Sequence, residues 1–211
     1  MRETCRRCLR PVDLCLCADL APAPSRTRVV ILQHPREARL AICSARLARL
    51  ALENAELHRA VDLDAHPRVR ELCSAPGAAL LFPGPAAAPA APRPGPPLAH
   101  LVVVDGTWHQ AERMIERSRL LSALPRISVA PDGGEGYGEL RREPEAHCLS
   151  TVEAIALALS ALEGDPDRFA PMRRAFRRMV AQQLECARGA RHNPRHRPGR
   201  AKARAVARGG G

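Results

Sequence analysis

The chain has 211 residues and a mass of 22.9 kDa, room for one ordinary domain, and its 45% hydrophobic content supports a real core. Aromatics are only 2%, so that core is built from Ala, Leu, Val and Ile; no apolar run reaches the ~20 residues of a membrane span and no signal-peptide pattern is present, which makes a cytoplasmic setting the expectation. The formal net charge is +11, carried almost wholly by arginine; a GC-rich genome choosing Arg codons accounts for the total, so the distribution of the charge says more.

The first 24 residues hold CRRCLRPVDLCLC, with Cys5, Cys8, Cys15 and Cys17. Zinc prefers four thiolates in a tetrahedron, and a compact knuckle supplies them in pairs. A structural zinc is expected here. A closed four-thiolate site keeps no open position, so no catalytic role goes with it. Cys43, Cys73, Cys148 and Cys186 are scattered and read as small core residues.

RTRVVILQHP reads as a strand over 27–33, ended by Pro35. Helical spacing follows over 38–52. A short strand is expected near 56–62 and a helix over 66–74. AALLFPG, 78–84, reads as an apolar strand cut short by Pro83. Residues 85–97 are a Pro/Ala-rich loop with no strand pattern. HLVVVDG, 100–106, is a continuous apolar run of the kind buried on both faces of a parallel sheet. A helix over 107–121 and a strand over 126–130 come next, then the glycine-rich DGGEGYGE. Two helices close the pattern, over 150–163 and 166–188. The alternation predicts an α/β fold with a mostly parallel sheet.

The last segment, 188–211, carries eight cations and no acid, among them Arg188, Arg191, Arg195 and Arg197. Removing those eight from the formal +11 leaves +3. Such an arm suits RNA or DNA, since neutralised phosphates release counterions; the alternative is a solvated tail.

Within VVVDGTWHQAERM, Asp105 sits at the carboxyl end of a buried strand, where open α/β sheets place their ligand crevice. An acid there serves as general base, as ligand-binding carboxylate, or only as an anion near a helix N-terminus. Thr107 and Gln110 have capping-box spacing, and so do Ser150 and Glu153 in CLSTVEA. Trp108, the sole tryptophan, shares a helix stripe with Ile115, so core packing and a base-stacking role both stay open. The N–H groups of Ser150 and Thr151 open a helix and can hold an anion. QHPREAR ends the first strand with His34, Arg36, Glu37 and Arg39.

Taken together, these pieces resemble the DTW-domain family of tRNA-uridine aminocarboxypropyltransferases. The resemblance covers nearly the whole chain: the Cys cluster, HPREAR, LFPG, VVVDGTW with QAERM, LRREP and LSTVEA. It implies a SPOUT-like sheet, of a kind that can be knotted, here divided into a zinc-binding segment 1–24, a catalytic domain 25–187 and a basic arm 188–211. It implies transfer of the 3-amino-3-carboxypropyl group of S-adenosylmethionine (SAM) to N3 of a tRNA uridine, in the variable loop, with release of methylthioadenosine. On that basis Asp105 and Trp108 are the catalytic candidates. Leu81, Phe82, Pro83, Asp105, Thr107, Ser150, Thr151 and Glu153 are cofactor-binding candidates. Arg36, Arg39, Arg141, Arg142, Arg188, Arg191, Arg195 and Arg197 are RNA-binding candidates. Three rivals are an RNA methyltransferase, the same transfer on rRNA, and a zinc-bearing RNA-binding module without catalysis.

Overall fold

The computed structural model describes residues 3–39, 43–60, 62–92, 95–130 and 149–191. The strands are β1 (Arg28–Gln33), β2 (Ala55–Arg59), β3 (Ala78–Leu81), β4 (Ala88–Pro89), β5 (His100–Asp105) and β6 (Arg126–Ser128). They form one sheet in the order β2-β1-β5-β3-β6-β4, with every pairing parallel. The helices are α1 (Ser44–Leu50), α2 (Pro67–Ser74), α3 (Trp108–Arg117), α4 (Arg119–Ala123), α5 (Thr151–Glu163) and α6 (Ala170–Arg191).

Side chains alternate across the strands, so the sheet serves two cores. Val29, Ile31, Leu101 and Val103 face α1, α5 and α6 and pack with Leu47, Ile155, Leu159 and Phe176. Val30, Leu32, Leu80 and Val102 face α2, α3 and α4 and pack with Val69, Leu72, Ile115 and Leu121. Both faces are covered, which is why the central strands read as unbroken apolar runs. Among the described residues no helix is long and apolar enough to cross a membrane.

Several expected boundaries move, each for a local reason. The helix expected over 38–52 is α1 alone, because the Cys43 thiol accepts from the Arg46 N–H at 3.4 Å and caps the chain there. Residues Glu37–Arg39 form a separate 3-10 turn. The helix expected over 107–121 breaks at Ser118. Its hydroxyl accepts from the Leu121 N–H at 3.2 Å, and Asp64, from another part of the chain, takes hydrogen bonds from Ser118 Oγ and from the Arg119 N–H at 2.8 Å. The Pro/Ala-rich loop was expected to carry no strand, yet Ala88–Pro89 pairs with Ile127 and Ser128. This is an outer strand, where proline's missing N–H costs nothing. Strand β3 stops at Leu81, ahead of the proline that cannot donate. The helix expected over 166–188 runs Ala170–Arg191 and so takes in the first residues of the basic segment.

Glu163 ties the start of the sheet to the end of α5. Its carboxylate, almost wholly buried, accepts from the backbone N–H groups of Arg26 and Thr27 and pairs with Arg168 at 2.8 Å. Gly164 then ends α5 with φ of 68°, a left-handed cap that glycine adopts without strain.

Candidate functional site

Strand β5 ends on Asp105, a residue only 6% exposed. The acid does not stand alone. The Thr151 hydroxyl donates to its Oδ1 at 2.6 Å, and the Gln33 Nε2 donates to its Oδ2 at 2.9 Å. The last residue of β1, the last residue of β5 and the first residue of α5 therefore converge. Gln33 is fully buried, and its orientation is fixed by its partners. Its Oε1 accepts from Arg59 Nε at 2.8 Å, and its amide nitrogen also reaches Cys43 Sγ at 3.1 Å. An amide turned the other way would aim its oxygen at a carboxylate and its N–H at a guanidinium. The result is a directed chain from Arg59 through Gln33 to Asp105. A carboxylate has about four lone-pair positions, so two remain for a ligand.

Burial and the nearby Asp105 charge both push the Cys43 thiol upward, in that order of size, so it stands protonated beside the acid. Sequence reasoning gave Gln33 and Cys43 no role. The signal was present in part: Gln33 is a polar residue ending a buried apolar strand.

Both capping boxes form. Thr107 Oγ1 accepts from the Gln110 N–H while Gln110 Oε1 accepts from the Thr107 N–H at 2.7 Å. Ser150 and Glu153 do the same at the start of α5, and Glu153 also takes the Ser150 hydroxyl at 2.7 Å. The polar atoms of Thr107, Ser150 and Glu153 are thus engaged in starting helices. Thr151 is the residue of that pair of motifs that points at Asp105.

Trp108 is not a core residue. It is 39% exposed and lies against Phe82, ring centroids 4.9 Å apart and planes 25° from parallel. Its Nε1 donates to Glu112 Oε1 at 3.0 Å, one turn along α3. The Arg126 guanidinium sits 5.9 Å above the Phe82 ring. Leu81, Phe82 and Pro83 follow directly at the end of β3, two strands from β1 and next to β5. An aromatic pair with a cation on one side and a buried acid nearby is suited to hold a flat heterocycle.

The four N-terminal cysteines converge as their spacing predicts. Their sulfur atoms lie within 4.8 Å of one another. Cys5 and Cys17 are 3.7 Å apart, and so are Cys8 and Cys15. A tetrahedron with metal–sulfur bonds of about 2.3 Å has edges of roughly 3.8 Å, so the set fits zinc. The backbone N–H groups of Cys8 and Arg7 draw the Cys5 thiol down to about 6, which readies one thiolate. The turn that gathers Cys5 and Cys8 needs Leu9 at φ of 57°, a left-handed conformation on a non-glycine residue. Arg10, buried, donates to Leu14 O within this knuckle at 2.9 Å and reaches out of it to Gln182 Oε1 on α6 at 2.9 Å. Of the other cysteines, Cys43 and Cys73 are buried as expected, whereas Cys186 is exposed on α6 and so is not a core residue. Cys148 lies outside the described residues.

Arg36 is exposed just after β1. Arg39 falls in the 3-10 turn, and Arg188 and Arg191 fall on the last turn of α6. Arg141, Arg142, Arg195 and Arg197 lie outside the described residues.

Comparison with known proteins agrees with this assembly of motifs. The tRNA-uridine aminocarboxypropyltransferase 2 of Drosophila melanogaster is 30% identical over 200 residues, covering 87% of this chain and 76% of its own. The tRNA-uridine aminocarboxypropyltransferase A of Arabidopsis thaliana is 30% identical over 201 residues, covering 78% of this chain and 74% of its own. In Macaca fascicularis the similar protein, also a tRNA-uridine aminocarboxypropyltransferase 2, is 29% identical over 177 residues, covering 77% of this chain but 57% of its own length. No solved structure gives a significant match. The DTW domain model matches residues 2–184, a span that holds the cysteine knuckle, Asp105 and Thr151 together, and the chain belongs to the DTW domain family.

Proposed function

We propose that this protein moves the 3-amino-3-carboxypropyl group of SAM to N3 of a tRNA uridine and releases methylthioadenosine. The observation that carries the proposal is the 2.6 Å bond from Thr151 to Asp105, which joins the two most specific motifs of the chain in one buried site. The relatives' names supply the reaction class.

In this reading the uracil N3 loses its proton to the base as it attacks the aminocarboxypropyl carbon bonded to sulfur. A C–N bond forms, the C–S bond breaks, and its electrons neutralise the sulfonium. That leaving group is good already, so the chain's task is to position the two partners and remove one proton. Asp105 is the base, held in place by Gln33 and Thr151; its rival role is to bind the SAM amino group. The N–H groups opening α5 receive the SAM carboxylate. Leu81, Phe82 and Pro83 wall the adenine. Trp108, braced by Phe82 and Glu112, stacks on the uracil. Cys5, Cys8, Cys15 and Cys17 hold a structural zinc, with no part in the chemistry. The division into a zinc segment 1–24, a catalytic domain 25–187 and a basic arm 188–211 belongs to the same reading, as does a SPOUT-type fold for the parallel sheet.

Incubation with SAM and unmodified tRNA tests the whole reading, with the modified nucleoside and the SAM by-product identified by mass spectrometry. Methylthioadenosine with aminocarboxypropyluridine is the expected pair. S-adenosylhomocysteine would mean methylation, transfer to rRNA fragments alone would mean the other RNA class, and no SAM binding would leave an RNA-binding module.

Trp108→Ala should lower kcat/KM roughly 5- to 150-fold, the range set by about 1–3 kcal/mol of stacking. Because Trp108 is the sole tryptophan, its fluorescence reports the same contact in the wild-type protein. Unmodified tRNA should change that emission, and an unchanged spectrum at saturating tRNA would remove the stacking role.

Truncation after Arg191 keeps α6 whole and removes six cations. It should weaken tRNA binding about equally across tRNA sequences, since phosphate contacts carry no base information. The log–log salt slope should flatten by up to roughly 0.7–0.9 for each lost contact. Unchanged affinity and slope would make the arm a solvated tail.

A further inference from the structure

Helix α3 divides its exposed charges between two ridges. Trp108 and Glu112 lie on one and are bonded to each other on the Phe82 side. His109, Arg113 and Arg117 lie on the next, each four residues from its neighbour. That second ridge lines a cleft of about 650 Å³ whose opposite wall includes His34, Arg36 and Asp62. Arg36, Arg113 and Arg117 are exposed, and their guanidinium groups form no ion pair or hydrogen bond among the described residues.

The cleft also contains two acids, and both are spoken for. Asp64 accepts from Ser118 Oγ and from the Arg119 N–H, and so starts α4. Asp62 accepts from the Ala65 N–H at 3.0 Å. Both carboxylates keep their charge but are held by those donors, and the three arginines of the lining still outnumber them three to two. One end of the cleft meets the proposed reaction site. His34 follows Gln33 directly, and its N–H donates to the Asp105 carbonyl at 2.8 Å. Gln110, which also lines the cleft, closes the Thr107 cap.

From this arrangement we infer that the cleft between α3 and the carboxyl ends of β1 and β2 is the track for the tRNA backbone, with Arg36, Arg113 and Arg117 on successive phosphates. Residues four apart on a helix are about 6 Å apart along its axis, a step comparable with the spacing of phosphates along an RNA strand. An acidic protein segment is the competing occupant. It fits less well, because the cleft exposes no large apolar side chain to anchor a protein interface: Leu63 is buried and Met114 is half-buried. The track leads the strand to the Asp105 end, where a base can turn onto Trp108. The inference rests on tRNA being the substrate.

The test compares Arg113→Gln with Arg117→Gln, combined in the full-length protein, against a charge-matched control. The control carries Arg49→Gln and Arg174→Gln, exposed positions on α1 and α6 across the sheet. Unmodified tRNA, SAM and polyglutamate are the probes. The expected result is a roughly tenfold loss of tRNA affinity and a salt slope reduced by about 1.4–1.8, two contacts' worth. SAM affinity and the melting midpoint should match wild type, and the double arginine-to-lysine variant should recover most of the tRNA affinity. If wild type binds tRNA and the Gln variant binds it as the control does, the track lies elsewhere and only this inference falls. If wild type binds no tRNA, or holds polyglutamate more tightly through the same arginines, the proposed substrate falls with it.

Discussion

Asp105→Asn is expected to lower turnover about 10²–10⁴-fold, the contribution typical of a positioned general base. The fold should survive the change. Asparagine has the same shape, and its oxygen can keep the Gln33 amide while its nitrogen faces Thr151, whose hydroxyl accepts as readily as it donates. Melting should therefore shift little. SAM titration separates the two roles the site allows: unchanged affinity marks a base, and a large loss marks the ligand of the amino group. Turnover within a few-fold of wild type would eliminate both. Gln33→Leu offers a companion measurement. It removes the donor that orients Oδ2 without touching the acid, so it should reduce kcat by less than Asp105→Asn does.

The second large effect concerns the metal. Purified protein should carry one zinc per chain, and Cys5→Ser combined with Cys15→Ser should carry none. The consequence should be global, because the knuckle is part of the body. Leu16 and Leu20 are buried in the core under α1, α5 and α6, and Arg10 is bonded to α6. Structural zinc contributes about 10–16 kcal/mol in isolated fingers. A loss of only about 3 kcal/mol would already move the melting midpoint by roughly 6–12 °C at this chain length. Full zinc stoichiometry in the double variant would overturn the ligand assignment. A chelator should reproduce the destabilisation in the wild-type protein and leave the variant unmoved.

What could be read from the sequence was whatever local chemistry decides. Strand β5 announced itself by an apolar run, both capping boxes by a three-residue spacing, and the cysteine cluster by four thiols within 13 residues. What could not be read was decided from far away. Gln33 and Thr151 reach Asp105 across 72 and 46 residues, and no local pattern reports that meeting. The break at Ser118 depends on Asp64, 54 residues earlier. The two-residue strand β4 exists because β6 offers an open edge. Trp108 sat on a helix stripe that suited either a core or a surface ring, and only the position of Phe82 decides between them. Cys186 was placed in the core on residue type alone, while the face of α6 that carries it is turned outward.

The contact between Arg10 and Gln182 spans 172 positions of the chain. During synthesis Arg10 is made 172 positions before the glutamine it docks on. Loop-closure entropy delays contacts of that separation, so the cysteine knuckle closes locally and waits undocked until α6 is available. Closure of the knuckle and completion of the native core are therefore separate events in time. The early one is local and spans only Cys5 to Cys17; the late one closes a loop of 172 positions.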